Sequence, residues 1–101
     1  MTYVKEPLKG PVSYQTLEEA LKKAAEETGL KIESDVNPEK ECNITTFYLK
    51  GPIFKSMEIH VYDHGKPIDF FSVYAGPPSG RASKRKVDTY IEKVHDYLEK
   101  H

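Results

Sequence analysis

Cysteine is nearly absent from this chain. Cys42 is the only one among 101 residues, so no disulfide can close within it. A reducing compartment, the cytoplasm, is the simpler expectation. Long apolar runs are absent too. None approaches the ~20 residues that a membrane-spanning helix needs, and Met1 to Pro7 lacks the apolar core of a signal peptide. Neither sign of charge dominates: 15 Lys and Arg face 16 Asp and Glu, a net charge of −1. That excludes coating of nucleic acid by bulk positive charge. There are no repeats and no low-complexity segment. No Walker, Rossmann or nucleophile-elbow pattern occurs, so neither an enzyme nor a cofactor is expected. What is present, 38% hydrophobic and 31% charged residues, suits one globular domain over residues 1–101.

Residues 1–15 contain Pro7, Gly10 and Pro11 and hold no sustained period. They read as an extended N-terminal arm with a short edge strand at Thr2 to Lys5. Thr16-Leu17-Glu18-Glu19 has the form of a capping box opening a helix. Leu17, Ala20, Leu21, Ala24 and Thr28 follow at helical spacing, and Gly29 ends the run. Leu30 to Val36 alternates like a strand with one wet face, and Cys42 to Leu49 forms a second. A third strand runs from Ile53 to about Tyr62 and a fourth from Ile68 to Ala75. The last helix opens near Ser83, with Val87, Tyr90, Ile91, Val94 and Leu98 as its apolar stripe. The order is α-β-β-β-β-α. Short connections make neighbouring strands antiparallel, and two one-sided helices must share a sheet face. The expected fold is α+β, a two-layer sandwich with a four-stranded, mainly antiparallel sheet.

Met57 to Ala75 is the hairpin on which the rest depends. A three-residue turn at Asp63-His64-Gly65 puts Met57, Ile59, Val61, Phe71, Val73 and Ala75 on one face. Glu58, His60, Tyr62, Ile68, Phe70, Ser72 and Tyr74 then take the other. A two-residue His64-Gly65 turn would instead align Ile59 with Phe70. The first register is favoured because it sets three apolar residues of each strand side by side. It leaves Tyr62, Phe70 and Tyr74 on the outer face, more apolar than solvent requires. Either a partner, a bound ligand or a second subunit covers them, or the N-terminal arm does.

The hairpin empties into the one strongly basic segment. Residues 81–86 carry Arg81, Lys84, Arg85 and Lys86 and no anion. Three cations at a helix start oppose the positive end of its dipole. An anion on the free amides and the Ser83 hydroxyl would reverse that sign, whereas in a merely solvated loop the side chains point away.

A helix, then strands, then Ser83-Lys84-Arg85 opening a last helix resembles the double-stranded RNA-binding domain. There a Gly-rich turn leads into Ser-Lys-Lys-x-Ala-Lys, whose lysines reach phosphates. The resemblance implies RNA binding by Ser83, Lys84 and Arg85, and likens Leu17 with Glu19 to the family's groove-reading first helix. Asp88 stands where the third lysine would, and Phe54 where the family's Gly-Pro-x-His has its histidine. Other chemistry is less favoured. His60, Asp63 and His64 span a turn rather than one helix face, so no metal site is expected. A Cys42–His60 pair has no orienting third group by spacing, and an enzyme would need a cleft gathering Cys42, His60 and Asp69. The leading expectation is a binding module for RNA or another polyanion through Arg81, Ser83, Lys84, Arg85 and Lys86. The alternative is a protein-interaction or homodimer module using Tyr62, Phe70 and Tyr74.

Overall fold

The sheet has five strands, because the N-terminal segment joins it. In the computed structural model residues 2–100 are described, and Met1 and His101 lie outside that range. The order is β1 (Thr2–Val12), α1 (Tyr14–Glu27), β2 (Lys31–Pro38), β3 (Asn43–Lys50), β4 (Lys55–Asp63), β5 (Ile68–Ala75) and α2 (Lys84–Lys100). The strands lie side by side as β1-β5-β4-β3-β2, each pair antiparallel. The α+β class and the antiparallel sheet are as expected; the strand count is not.

The expected arm is β1. It pairs with β5 from Thr2 opposite Ala75 to Pro7 opposite Phe70. The register then slips before Val12 meets Ile68, which takes Leu8 to Pro11 out of the regular ladder. Pro7 and Pro11 are tolerated because β1 is an edge, where an absent N–H leaves no partner unpaired. The arm therefore extends the sheet rather than folding over its outer face.

Helix α1 begins two residues before Thr16. Ser13 is its N-cap: the Ser13 hydroxyl oxygen accepts from the Thr16 backbone N–H at 3.1 Å. Two candidate caps stand three residues apart, and the earlier one gains a turn of helix that brings in Tyr14. The Tyr14 hydroxyl lies 3.2 Å from both the Glu18 carboxylate and Thr45 Oγ1.

The hairpin parity is the expected one. Glu58, Ile59 and His60 pair with Tyr74, Val73 and Ser72, and Met57, Ile59, Val61, Phe71, Val73 and Ala75 are fully buried. The turn is longer than three residues, with His64 to Pro67 lying between the strands. The Asp63 side chain accepts from the Gly65 N–H at 2.9 Å, and Gly65 takes φ 75. Ile68 departs from its expected face. It is buried in the core while Asp69 is exposed, so the alternation breaks before Phe71.

One core joins the two layers. Leu17, Ala20, Leu21, Ala24 and Ala25 of α1 meet Val87, Tyr90, Ile91 and Val94 of α2 over Phe47, Leu49 and the hairpin's inner residues. Strand β2 overhangs this core: Ile32 packs against it, but Val36 is 53% exposed. Among the described residues no helix is long and apolar enough to cross a membrane.

Candidate functional site

Two segments distant in sequence meet at one end of the sheet. The turn between β3 and β4 is closed by Gly51 N–H donating to the Phe54 carbonyl at 2.8 Å. Beside it runs the loop from β5 to α2, pinned to the start of β4. Arg81 N–H donates to the Lys55 carbonyl and Ala82 N–H to the Ser56 carbonyl, each at 2.9 Å. Gly80 makes that approach possible, since a Cβ there would fall 2.2 Å from the Ser56 carbonyl oxygen. The result is a fixed geometry for Arg81. Its guanidinium carbon sits 4.3 Å from the centre of the Phe54 ring.

Helix α2 then opens as expected from Ser83. The Ser83 hydroxyl oxygen accepts from Lys86 N–H at 3.3 Å, so the cap is occupied by the helix's own backbone. Lys84 pairs with Asp88 at 3.0 Å, one helical turn on. That pair offsets part of the repulsion between Lys84 and the helix dipole and turns the ammonium along the helix. Arg85 and Lys86 instead line a groove of about 480 Å³ between α1, β4 and α2. Ser56, Ser83, Thr89 and Lys93 line it too, and Glu27 is its one carboxylate.

A smaller hollow of about 180 Å³ shares Ser56 and Lys86 with that groove and reaches Phe54 and Arg81. A third, of about 260 Å³, shares Phe54 and Arg81 and ends at Pro77 and Pro78. The three hollows are thus neighbours that share lining residues. Arg81, Arg85, Lys86 and Lys93 border this track and form no ion pair among the described residues. Lys55 belongs to the third hollow, but its ammonium is held by Glu58 at 2.8 Å. Of the five residues expected at this site, Arg81, Ser83, Arg85 and Lys86 are gathered on the track. Lys84 stands aside with Asp88. Lys93 and Phe54 were not expected. Lys93 follows Lys86 by seven residues, two helical turns, which is a legible signal; Phe54 follows only from the tertiary contact.

The outer sheet face carries the expected aromatics, enlarged by β1. Tyr3 lies opposite Tyr74 with ring centres 4.9 Å apart, and His60 packs on Tyr74 at 4.4 Å. Tyr62 and Phe70 stack at 6.0 Å, and the Lys5 ammonium lies 4.4 Å over the Phe70 ring. Burial pushes the Tyr74 hydroxyl above its usual pKa, and Tyr62 and Tyr3 add to the shift. Burial alone would raise the Glu58 carboxyl. Hydrogen bonds from Lys55 and His60 outweigh it and hold the group below the ordinary carboxylate range.

The remaining candidates are dispersed. Leu17 is fully buried, so it has no surface to present to a nucleic-acid groove. Cys42 precedes Asn43, whose partner Asp63 is three residues along β4 from His60, roughly 10 Å at strand spacing. Asp69 is exposed in β5. Among the described residues no group of three or more His, Cys, Asp or Glu is placed to hold a metal ion. No family model, no curated protein and no solved structure matches this chain.

Proposed function

We propose that this protein is a non-enzymatic nucleic-acid-binding module, for RNA foremost, that holds the sugar–phosphate backbone at its basic end. A likeness to the double-stranded RNA-binding domain at Ser83-Lys84-Arg85 is part of the same proposal, as is residence in the cytoplasm, which suits a chain with one cysteine. The observation that carries it is the track itself. A loop and a helix contribute Arg81, Arg85, Lys86 and Lys93 to three hollows that share lining residues, and no carboxylate pairs with any of them among the described residues. A net charge of −1 is no obstacle, because local field and not the sum steers a polyanion.

The test is a mobility-shift titration against a short RNA at several salt concentrations. Affinity is expected to fall steeply with salt, and the double variant Arg85→Ala, Lys86→Ala to lower the slope by about 1 for each cation removed. An RNA that runs unretarded at the lowest salt would remove the proposal.

A second reading has its own observation. Tyr3, Tyr62, Phe70 and Tyr74 lie on the sheet face opposite the helices, and β1 extends that face instead of covering it. A protein partner or a second copy would be held there by apolar contact, relatively indifferent to moderate salt. Light scattering is expected to report a dimer that survives 0.5 M salt, a concentration that screens charges beyond about 4 Å; a strict monomer ends the homodimer form.

A further inference from the structure

Phe54 is placed where a backbone-binding track would need a stacking platform. It is 50% exposed at the tip of the β3–β4 turn, next to Ile53, which is 81% exposed. A large aromatic left this open gains nothing for the core. One neighbour is the Arg81 guanidinium, 4.3 Å from the ring centre, which both orients the ring and brings positive charge beside it. Phe54 borders two of the three neighbouring hollows, and the third is the groove lined by Arg85, Lys86 and Lys93.

We infer that the nucleic acid held at this end is single-stranded, with a base stacked on Phe54 while the adjoining phosphates follow Arg81, Lys86, Arg85 and Lys93. The inference rests on the basic track of the reading above, narrows its substrate class, and departs from the duplex ligand that the likeness at Ser83-Lys84-Arg85 implies. A duplex keeps its base faces inside the stack, so it offers nothing to an aromatic ring projecting from a turn. A single strand exposes those faces, and a cationic groove interleaved with aromatics is the arrangement that holds one without sequence preference. Of the Leu17–Glu19 pair likened to a duplex-reading helix, Leu17 is buried in the core and only Glu19 is exposed, and the N-terminal end of α1 lies by Thr45, at the opposite end of the β3–β4 ladder from Ser56.

The experiment is fluorescence anisotropy with a labelled single-stranded oligouridylate, a labelled duplex RNA of equal length and vesicles rich in anionic lipid. It uses the full chain and its Phe54→Ala, Phe54→Leu and Phe54→Tyr variants. Each variant keeps the backbone bond from Gly51 to Phe54, and circular dichroism checks the fold. The expected result is preference for the single strand, a roughly tenfold loss with alanine or leucine and near-full affinity with tyrosine, which preserves the π-face. Equal affinity for duplex and single strand, or a leucine variant as good as tyrosine, overturns the single-strand inference and leaves the basic track as a phosphate contact. Retention of neither RNA at low salt overturns that broader reading as well. Vesicle binding lost with Phe54→Ala, without RNA binding, would make the tip a lipid-surface contact instead.

Discussion

Gly80→Ala is expected to destabilise the protein by about 3 kcal/mol and to weaken the proposed RNA binding at the basic end in step. The reason is a close approach with no slack. A Cβ on Gly80 would lie 2.2 Å from the Ser56 carbonyl oxygen, 2.3 Å from its carbon and 2.7 Å from the Met57 nitrogen. All three are backbone atoms of β4, and Met57 is fully buried behind them, so no side chain can swing aside. The φ of 155° at Gly80 adds strain of its own for any residue with a Cβ. Relief requires the loop to lift. The bonds from Arg81 to the Lys55 carbonyl and from Ala82 to the Ser56 carbonyl would then stretch or break, at roughly 0.5–1.5 kcal/mol each. Such a loss is a large share of a typical 5–15 kcal/mol total. Arg81 would leave Phe54 at the same time. Urea titration is the measurement, with Gly10→Ala as control, because a Cβ there meets nothing within 4 Å and costs within about 0.5 kcal/mol. A Gly80→Ala protein with the control's midpoint would mean that the loop is not seated against β4.

How much of this was legible beforehand depends on whether the signal was local. The inner face of the hairpin was legible because Met57, Ile59 and Val61 alternate with polar residues, and parity survives a register error of an even number of residues, as in the pairing of Ile59 with Val73. Turn length itself was not. Gly65 drew the turn inward, whereas the strands part at Asp63 and resume only at Ile68, beyond Pro67, which has no N–H to donate. Strand β1 was half legible. Its first residues alternate, but Pro7, Gly10 and Pro11 are breakers anywhere except at an edge, and edge position is a tertiary fact. Ser13 caps α1 although the capping-box pattern pointed to Thr16, because both residues have the right chemistry.

The same division runs through the site. Four cations within residues 81–86 were visible as composition, but composition could not say that Lys84 would turn to Asp88 while Arg85 and Lys86 face the groove. Phe54 was hidden more thoroughly. In the sequence it looks like a residue early in a strand; its exposure and its contact with Arg81 come from two connections brought together by the pairing of β3, β4 and β5. The proposed site sits on the long-range part of the fold. That is why the basic segment could be located and its companion ring could not.

Tyr90→Ala is expected to cost about 3–5 kcal/mol, the range for removing a large buried ring. Tyr90 is fully buried between the layers, and its hydroxyl donates to the Leu21 carbonyl at 2.8 Å, tying α2 to α1. Truncation therefore removes packing from both helices and a bond between them. Tyr90→Phe isolates the second term. It keeps the ring, and Leu21 retains its donor in the α1 ladder, so the loss is about 1 kcal/mol. The phenol also gives the protein an alkaline limit. Burial pushes the Tyr90 hydroxyl far above the 10.0 of an exposed tyrosine. Above pH 10 the unfolded chain releases this proton and the native state keeps it, so the native state binds more protons and stability falls as pH rises. The full contribution is present below pH 10 and declines by about 1.4 kcal/mol for each unit above it. Tyr14 and Tyr74 are raised as well, chiefly by burial, so Tyr90→Phe is expected to flatten the slope without abolishing it. Urea midpoints at pH 8, 10 and 11 decide the matter. If wild type and Tyr90→Phe decline in parallel, the Tyr90 hydroxyl is not the group that holds its proton in the folded state.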